Sequence, residues 1–313
     1  MTATMSLRGR SLIADDDLNQ AEMLQVLDRA AHLKAERQQG ILHDHLLRGK
    51  TVALIFEKPS LRTRVSFEAG IAQLGGHGLY MSSRDLQIQR GETMEDTGRV
   101  LARYVDAIMA RVMRHETLLA LQAGGLPTIN GLSDLVHPTQ ALGDMLTVRE
   151  KFGGWQGRTL AYVGGANNML HSLMLAGCTL GLNVRAVCPP TRAPHPEMIA
   201  RARRRAELSG GSIEVVEDAW LGVRGADVIY TDVWRNMGDP ETMPVDDLEA
   251  YRVTDGLLDA AGPDAVFMHC LPLIRGQEVT AEVADGPQSI IFDQTENRLH
   301  VQKALLVEQI GRQ

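Results

Sequence analysis

The strongest constraint on this chain is an alternation. Strand-sized apolar runs are each followed by a stretch of helical periodicity. The run at 51–56 reads Thr-Val-Ala-Leu-Ile-Phe, and 78–81, 107–112 and 127–130 are further strand candidates. Helical patterns lie at 19–37, where Leu24, Leu27 and Ala31 share a face, at 64–74, which stops on Gly75-Gly76, and at 93–104. A long helix is expected over 137–152, ended by Gly153-Gly154. A second series of strands follows at 159–163, 183–188, 212–216, 227–233, 265–270 and 289–293, again with helices between. The last helix, 297–310, is apolar along Ala304, Leu305 and Ile310. Such alternation builds parallel sheets covered by helices on both faces. The expected fold class is α/β, with two doubly wound parallel-sheet domains joined by long helices.

Length agrees with two domains, since 313 residues exceed one ordinary core. A net charge of −7 leaves no global basic footprint, so no nucleic-acid partner is expected. No apolar run approaches the roughly 20 residues of a membrane helix, and no membrane association is expected. Residues 1–10 are polar and basic with no apolar segment after them, unlike a signal peptide. Cys178, Cys188 and Cys270 are too few and too scattered for a disulfide framework or a zinc site. A reducing cytoplasm is the expected location.

Ligands of open parallel sheets bind beyond the carboxyl ends of the strands, where helix N-termini present free N–H groups. The turn after 51–56 holds Ser60, Arg62, Thr63 and Arg64, with Pro59 ending the strand. Hydroxyls, guanidinium forks and bare N–H groups make a cradle for phosphate or carboxylate. An ordinary capping serine with solvated arginines is the plainer alternative. His137 and Gln140 stand three apart at a helix start, so they share a face. A histidine there suits a carbonyl oxygen, as does Arg111 near the end of its strand; capping or core packing is the alternative. The segment 163–172 is glycine-rich but lacks Gly-x-Gly-x-x-Gly, and no acid ends the next strand, which argues against a dinucleotide site. Asn167 and Asn168 there suit a helix cap or a small polar ligand. Asp232, near a strand end, suits a substrate ammonium. Cys270 closes a strand as a nucleophile or, more commonly, as a small buried hydrophobe. His43 and His45 read as loop histidines rather than metal ligands.

In this order, Ser60-Leu-Arg-Thr-Arg64, His137-Pro-Thr-Gln140, Asp232-Val-Trp, His269-Cys-Leu-Pro272 and Glu296-Asn-Arg298 resemble the motifs of the aspartate/ornithine carbamoyltransferase family. With flanking residues the likeness runs from 56 to 298. The His269-Cys-Leu-Pro272 spelling and the Asn167-Asn168 pair are similar to the ornithine branch. The resemblance implies transfer of the carbamoyl group from carbamoyl phosphate to the δ-amine of L-ornithine, giving citrulline and phosphate in arginine biosynthesis. It implies a carbamoyl-phosphate-binding domain over 1–140, with a helix at about 297–313 packed back on it, and an ornithine-binding domain over 141–296. Ser60, Leu61, Arg62, Thr63, Arg111, His137 and Gln140 would then hold carbamoyl phosphate. Asn168, Asp232, Asn236, Met237, Cys270 and Leu271 would hold ornithine. Arg111, His137, Cys270 and Arg298 would be the catalytic set. No metal or cofactor is implied, and a homotrimer or a multiple of trimers is.

Some positions depart from the ornithine pattern. Asn236-Met237-Gly238 stands where Ser-Met-Gly is familiar, Gly164-Gly165-Ala166 lacks the usual acid, and Leu273-Ile274 replaces a small and a polar residue. Gln89 stands where glycine is more usual. Three of the four lie near the expected amino-acid side. Another amine acceptor (putrescine, an acylated ornithine or lysine) is therefore the nearest alternative. A silent ligand-binding paralogue is a further one, opposed by Arg62, His137 and Cys270 together, and a nucleotide-dependent oxidoreductase is opposed by the missing Gly-x-Gly-x-x-Gly and ribose acid.

Overall fold

A computed structural model describes residues 6–82, 85, 91–235, 239–240 and 242–312. Gln89, Asn236 and Met237 lie outside the described residues. The chain forms two units, Met1–Leu146 with Glu296–Gln313, and Thr147–Thr295.

The first unit contains α1 (Gln20–Gln38), β1 (Thr51–Phe56), α2 (Leu61–Gln73), β2 (His77–Ser82), α3 (Met94–Leu101), β3 (Ala107–Arg111), α4 (His115–Leu121), β4 (Thr128–Leu132) and the start of α5 (Pro138–Phe152). Its sheet is parallel, in the order β2-β1-β3-β4. β1 and β3 are central, so both faces are covered and their side chains are buried almost throughout. Ala53, Ile55, Ile108 and Ala110 pack with Leu118 and Leu121 of α4 into one core. The register pairs Phe56 with Arg111, which aligns the carboxyl ends of β1 and β3. Gly75 closes the α2–β2 turn at φ +79°, where a Cβ would lie 1.8 Å from Asp44 O, so only glycine fits.

The second unit contains β5 (Thr159–Val163), α6 (Asn168–Leu180), β6 (Asn183–Val187), α7 (Pro196–Ser209), β7 (Ser212–Val216), α8 (Ala219–Val223), β8 (Val228–Thr231), α9 (Asp255–Ala261), β9 (Val266–His269) and α10 (Ala281–Ala284). Its sheet is parallel in the order β7-β6-β5-β8-β9. The two sheets give the doubly wound α/β class expected from the alternation.

Some local expectations fail. The strand expected at 289–293 does not form: Ser289 makes a single parallel bridge to Phe267, and α11 (Ile291–Ile310) begins two residues later. The run Ser-Ile-Ile-Phe looks like a strand, but Ile291, Gln294, Asn297, Arg298 and Val301 are buried at helical spacing. Helical burial overrides local β-propensity here. The helix expected from 64 starts at Leu61, because Ser60 caps it, and α3 ends at Leu101 rather than 104. β8 and β9 stop at Thr231 and His269, so Asp232 and Cys270 stand just past their strands.

Candidate active site

Ser60 sits in extended backbone and its Oγ accepts from Thr63 N at 3.3 Å, capping α2. The first turn of α2 therefore begins at Leu61, directly beyond β1, with its N–H groups and the positive end of the helix at the sheet's carboxyl edge. Arg62 and Arg64 part company. Two residues apart on a helix, they face opposite sides. Arg64 lies over the Tyr80 ring at 3.7 Å and pairs with Glu68 at 3.2 Å, so it does not join the cradle in which the sequence places it. Arg62 instead lies near enough to His137 for its charge to act on the imidazole.

His137 is buried just ahead of α5. Burial pushes its pKa well below the usual histidine value, and the guanidinium groups of Arg298, Arg111 and Arg62 push it the same way. The imidazole is therefore neutral and can donate one hydrogen bond. Arg111 ends β3 and Arg298 lies on α11, and both are buried. Arg298 Nη2 donates to Thr63 Oγ1 at 2.7 Å, tying α11 to the first turn of α2. Gln140 Nε2 donates to Asp144 Oδ1 at 2.8 Å. That fixes the amide, and Gln140 Oε1 is buried without a partner among the described residues. One neutral imidazole, three guanidinium groups, a helix N-terminus and one carbonyl acceptor converge in the first unit. Such a set suits an anion that carries a carbonyl and an amide-like NH2.

In the second unit, Asn167 caps α6, its Oδ1 accepting from Met169 N and Leu170 N. Its Nδ2 donates to Asp232 Oδ2 at 2.8 Å. Asp232 Oδ1 accepts from Val233 N at 2.8 Å and from Cys270 Sγ at 3.2 Å. Asn168 is the first residue of α6 and is half-buried, and Leu271 follows Cys270 at φ +59°. Asp232 and Cys270, far apart in sequence, are thus in direct contact. One ligand atom each of Asp232, His269 and Cys270 lies within 4.8 Å of the others. His269 Nδ1 accepts from Leu271 N at 2.9 Å, and Nε2 lies 3.3 Å from Glu278 Oε1 but outside hydrogen-bonding geometry. The cysteine spacing carries no hint of this cluster, since two of the three groups are not cysteines.

The sequence also misses Asn167 as the orienter of Asp232, Asp144 as the orienter of Gln140, and the Arg298–Thr63 bond. The four-residue step from Gln140 to Asp144 on one helix was a readable signal. The other two join residues distant in sequence, which periodicity cannot pair.

Residues 10–150 match the family model described as the carbamoyl-P binding domain of aspartate/ornithine carbamoyltransferase, and residues 156–308 match its Asp/Orn binding domain. An ornithine carbamoyltransferase of Thermococcus kodakarensis is 48% identical over 98% of each chain. An anabolic ornithine carbamoyltransferase of Pyrococcus furiosus is 48% identical, again over 98% of each. The solved structure of the ornithine carbamoyltransferase from Pyrococcus furiosus superposes with a TM-score of 0.94 at 47% identity, covering 98% of this chain and 99% of that one. The corresponding enzyme from Thermus thermophilus superposes with a TM-score of 0.85 at 39% identity, covering 97% and 99%. Matches to both domain models, together spanning most of the sequence, and near-full-length identity far above the level that fold alone produces lead to one assignment: the chain belongs to the aspartate/ornithine carbamoyltransferase family.

Proposed function

We propose that this chain is an ornithine carbamoyltransferase: it transfers the carbamoyl group of carbamoyl phosphate to the δ-amine of L-ornithine and releases L-citrulline and phosphate, a step of arginine biosynthesis. The observation that carries the reading is the buried, neutral His137 among Arg62, Arg111 and Arg298. The relatives named above, at 48% identity over nearly the whole length, supply the acceptor.

Ser60, Leu61, Arg62 and Thr63 hold the phosphate, through the first turn of α2 and the guanidinium group. His137 and Arg111 donate to the carbamoyl oxygen, and Gln140 Oε1 accepts from its NH2. Asn168, Asp232 and Leu271, with Asn236 and Met237 from outside the described residues, hold the α-end of ornithine. Cys270 belongs to that set and, with Arg111, His137 and Arg298, makes up the proposed catalytic set. The δ-nitrogen, as the neutral amine, attacks the carbonyl carbon. A C–N bond forms, the C–O bond to phosphorus breaks, and the proton shed by nitrogen balances on the released phosphate. Negative charge grows on the carbonyl oxygen in the transition state. Donors fixed beforehand stabilise it without reorganising, an effect of about 3–4 kcal/mol per donor in comparable sites. A neutral His137 donates to that oxygen without holding the carboxylate of a competing ligand as an ion pair.

The protein is proposed to act as a homotrimer in the cytoplasm. Its three cysteines are free thiols, as suits a reducing compartment, and recovery from an exported fraction would overturn that location. No described helix is long and apolar enough to cross a membrane.

The deciding experiment is ureido-product formation from carbamoyl phosphate with ornithine, acylated ornithines, putrescine, lysine and aspartate. The expected result is a strong preference for ornithine. Preference for another amine would keep carbamoyl transfer and overturn the acceptor. No product from any amine would overturn the enzyme reading.

A further inference from the structure

Glu278 is fully buried in the second unit and plays no part in the reaction as described above. Its surroundings give it a use. Oε1 accepts from Ile274 N at 2.6 Å and lies 3.3 Å from His269 Nε2. His269 is itself fully buried, and its Nδ1 accepts from Leu271 N at 2.9 Å. An imidazole nitrogen that accepts carries no hydrogen, so the ring hydrogen of His269 sits on Nε2, close to the Glu278 carboxylate as an electrostatic contact rather than an aligned hydrogen bond. His269 N donates to Gln294 Oε1 at 2.9 Å, and Gln294 Nε2 donates to Tyr230 OH at 3.1 Å, which anchors the backbone at the start of the segment. Glu278 thus touches both ends of the 269–274 segment: Ile274 by a hydrogen bond and His269 by a 3.3 Å approach.

The held segment is unusual in one respect. Leu271 adopts φ +59°, and it is the sole positive-φ residue other than glycine among the described residues. A leucine in that region is strained, and it persists only where its surroundings over-determine it. The bond from Leu271 N to His269 Nδ1 is one such restraint, and the Glu278 carboxylate borders the ring that accepts it, 3.3 Å from Nε2. Cys270, in contact with Asp232 at 3.2 Å, lies between these restraints.

We propose that Glu278 is a positioning residue: acting through His269, it holds the segment of Cys270 and Leu271 in the strained shape that presents both to the amino-acid substrate. The clamp is a property of the free protein. Its effect on turnover rests on the reaction proposed above. Glutamine at 278 keeps an Oε1 that can accept from Ile274 N–H and lie beside His269 Nε2–H, whereas alanine removes both contacts.

Two readouts test this. The first needs no substrate: amide hydrogen exchange across 269–274 in the intact protein. Exchange at Leu271 and Ile274 is expected to speed up in Glu278→Ala and to stay near wild type in Glu278→Gln. The second is steady-state kinetics with ornithine. A displacement of about 1 Å at a reacting centre costs on the order of 100-fold, so Glu278→Ala is expected to lose about that much in kcat/KM for ornithine. Affinity for carbamoyl phosphate alone, measured by equilibrium binding, is expected to be unchanged. Glu278→Gln is expected to recover to within about fivefold of wild type, the difference between a charged and a neutral acceptor. If Glu278→Ala does not fold, His269→Asn carries the test, because it keeps an acceptor near Leu271 N but no longer reaches Glu278; faster exchange at Leu271 and a matching loss of kcat/KM are expected.

Unchanged exchange in the alanine variant, or ornithine kinetics within about fivefold of wild type, would overturn the proposal. So would an equal loss of carbamoyl phosphate affinity, which would mark a general structural role. A wild-type protein that makes no citrulline would overturn the proposed reaction instead, and the exchange result would still decide the clamp.

Discussion

His137 shows how one residue inherits its chemistry from its neighbours. Its sequence position made it a carbonyl-binding candidate, but its protonation state depends on burial and on three arginines from other elements. The folded pKa is depressed, so below about pH 6.5 the unfolded chain takes up a proton that the folded chain refuses. The neutral imidazole's contribution to stability is thus present above pH 6.5 and is lost as pH falls toward the folded pKa. In that window His137 alone should lower unfolding free energy by about 1.4 kcal/mol per pH unit. Buried His43 and His300, also shifted down, add slope of the same sign. The difference between wild type and His137→Gln therefore isolates the residue. Denaturant unfolding at pH 5.5 and 7.5 should show a shallower pH dependence in the variant; equal dependence would mean that His137 is protonated in the folded protein. At this scale the sequence identified His137, Gln140, Asp232 and Cys270 as residues worth watching. It left Asn167 as a cap or a binder of a small polar ligand, without linking it to Asp232, and passed over Glu278, because a glutamate in a polar loop carries no sign of full burial.

Elements were largely legible, and their errors have causes. The strands of both sheets followed from apolar runs, since a parallel strand buried on both faces reads as a continuous run. The strand expected at 289–293 failed because a short apolar run fits a buried helix equally well. Close packing of elements is a further matter that local preference cannot foresee. In α3, a Cβ on Gly98 would lie 2.3 Å from Leu121 O, and a Cβ on Gly124 would lie 2.2 Å from Gly98 O. Helix propensity alone says that Gly98→Ala should stabilise α3 by about 1 kcal/mol. The contact reverses the sign, and a net destabilisation of about 1–3 kcal/mol is expected. A lowered thermal midpoint would bear this out, and a raised one would refute the close approach of α3 to the end of α4.

For the whole molecule, the chain leaves its first unit at Leu146 and returns to it at Glu296. Arg298 can therefore serve Thr63 and His137 although more than two hundred residues separate it from Thr63. The first unit also exposes apolar groups beside its sheet edge. Leu61 is 75% exposed and Val65 51% exposed on α2, and Leu79 is 39% exposed on the edge strand β2. An uncovered edge with apolar neighbours is a feature that proteins commonly cover with another chain. In the proposed trimer a second subunit would cover such a surface. Sedimentation equilibrium should give about three times the 34.3 kDa chain mass. A species at the chain mass would refute the trimer.

The sequence by itself determined the α/β class, the two series of strands, the turn that follows β1 and the family. Those are local or ordered features: apolar periodicity, a capping serine, and motifs whose order survives in the linear chain. Only the tertiary structure decided that the Arg62 charge acts on His137 while Arg64 lies on Tyr80, that Asn167 and Cys270 meet at Asp232, and that Glu278 lies beside His269. Each of these is a contact between groups that local pattern cannot pair. Its geometry exists only once each sheet has brought its own distant strand ends to one edge, and burial has then set which charges and hydrogen bonds the site can keep.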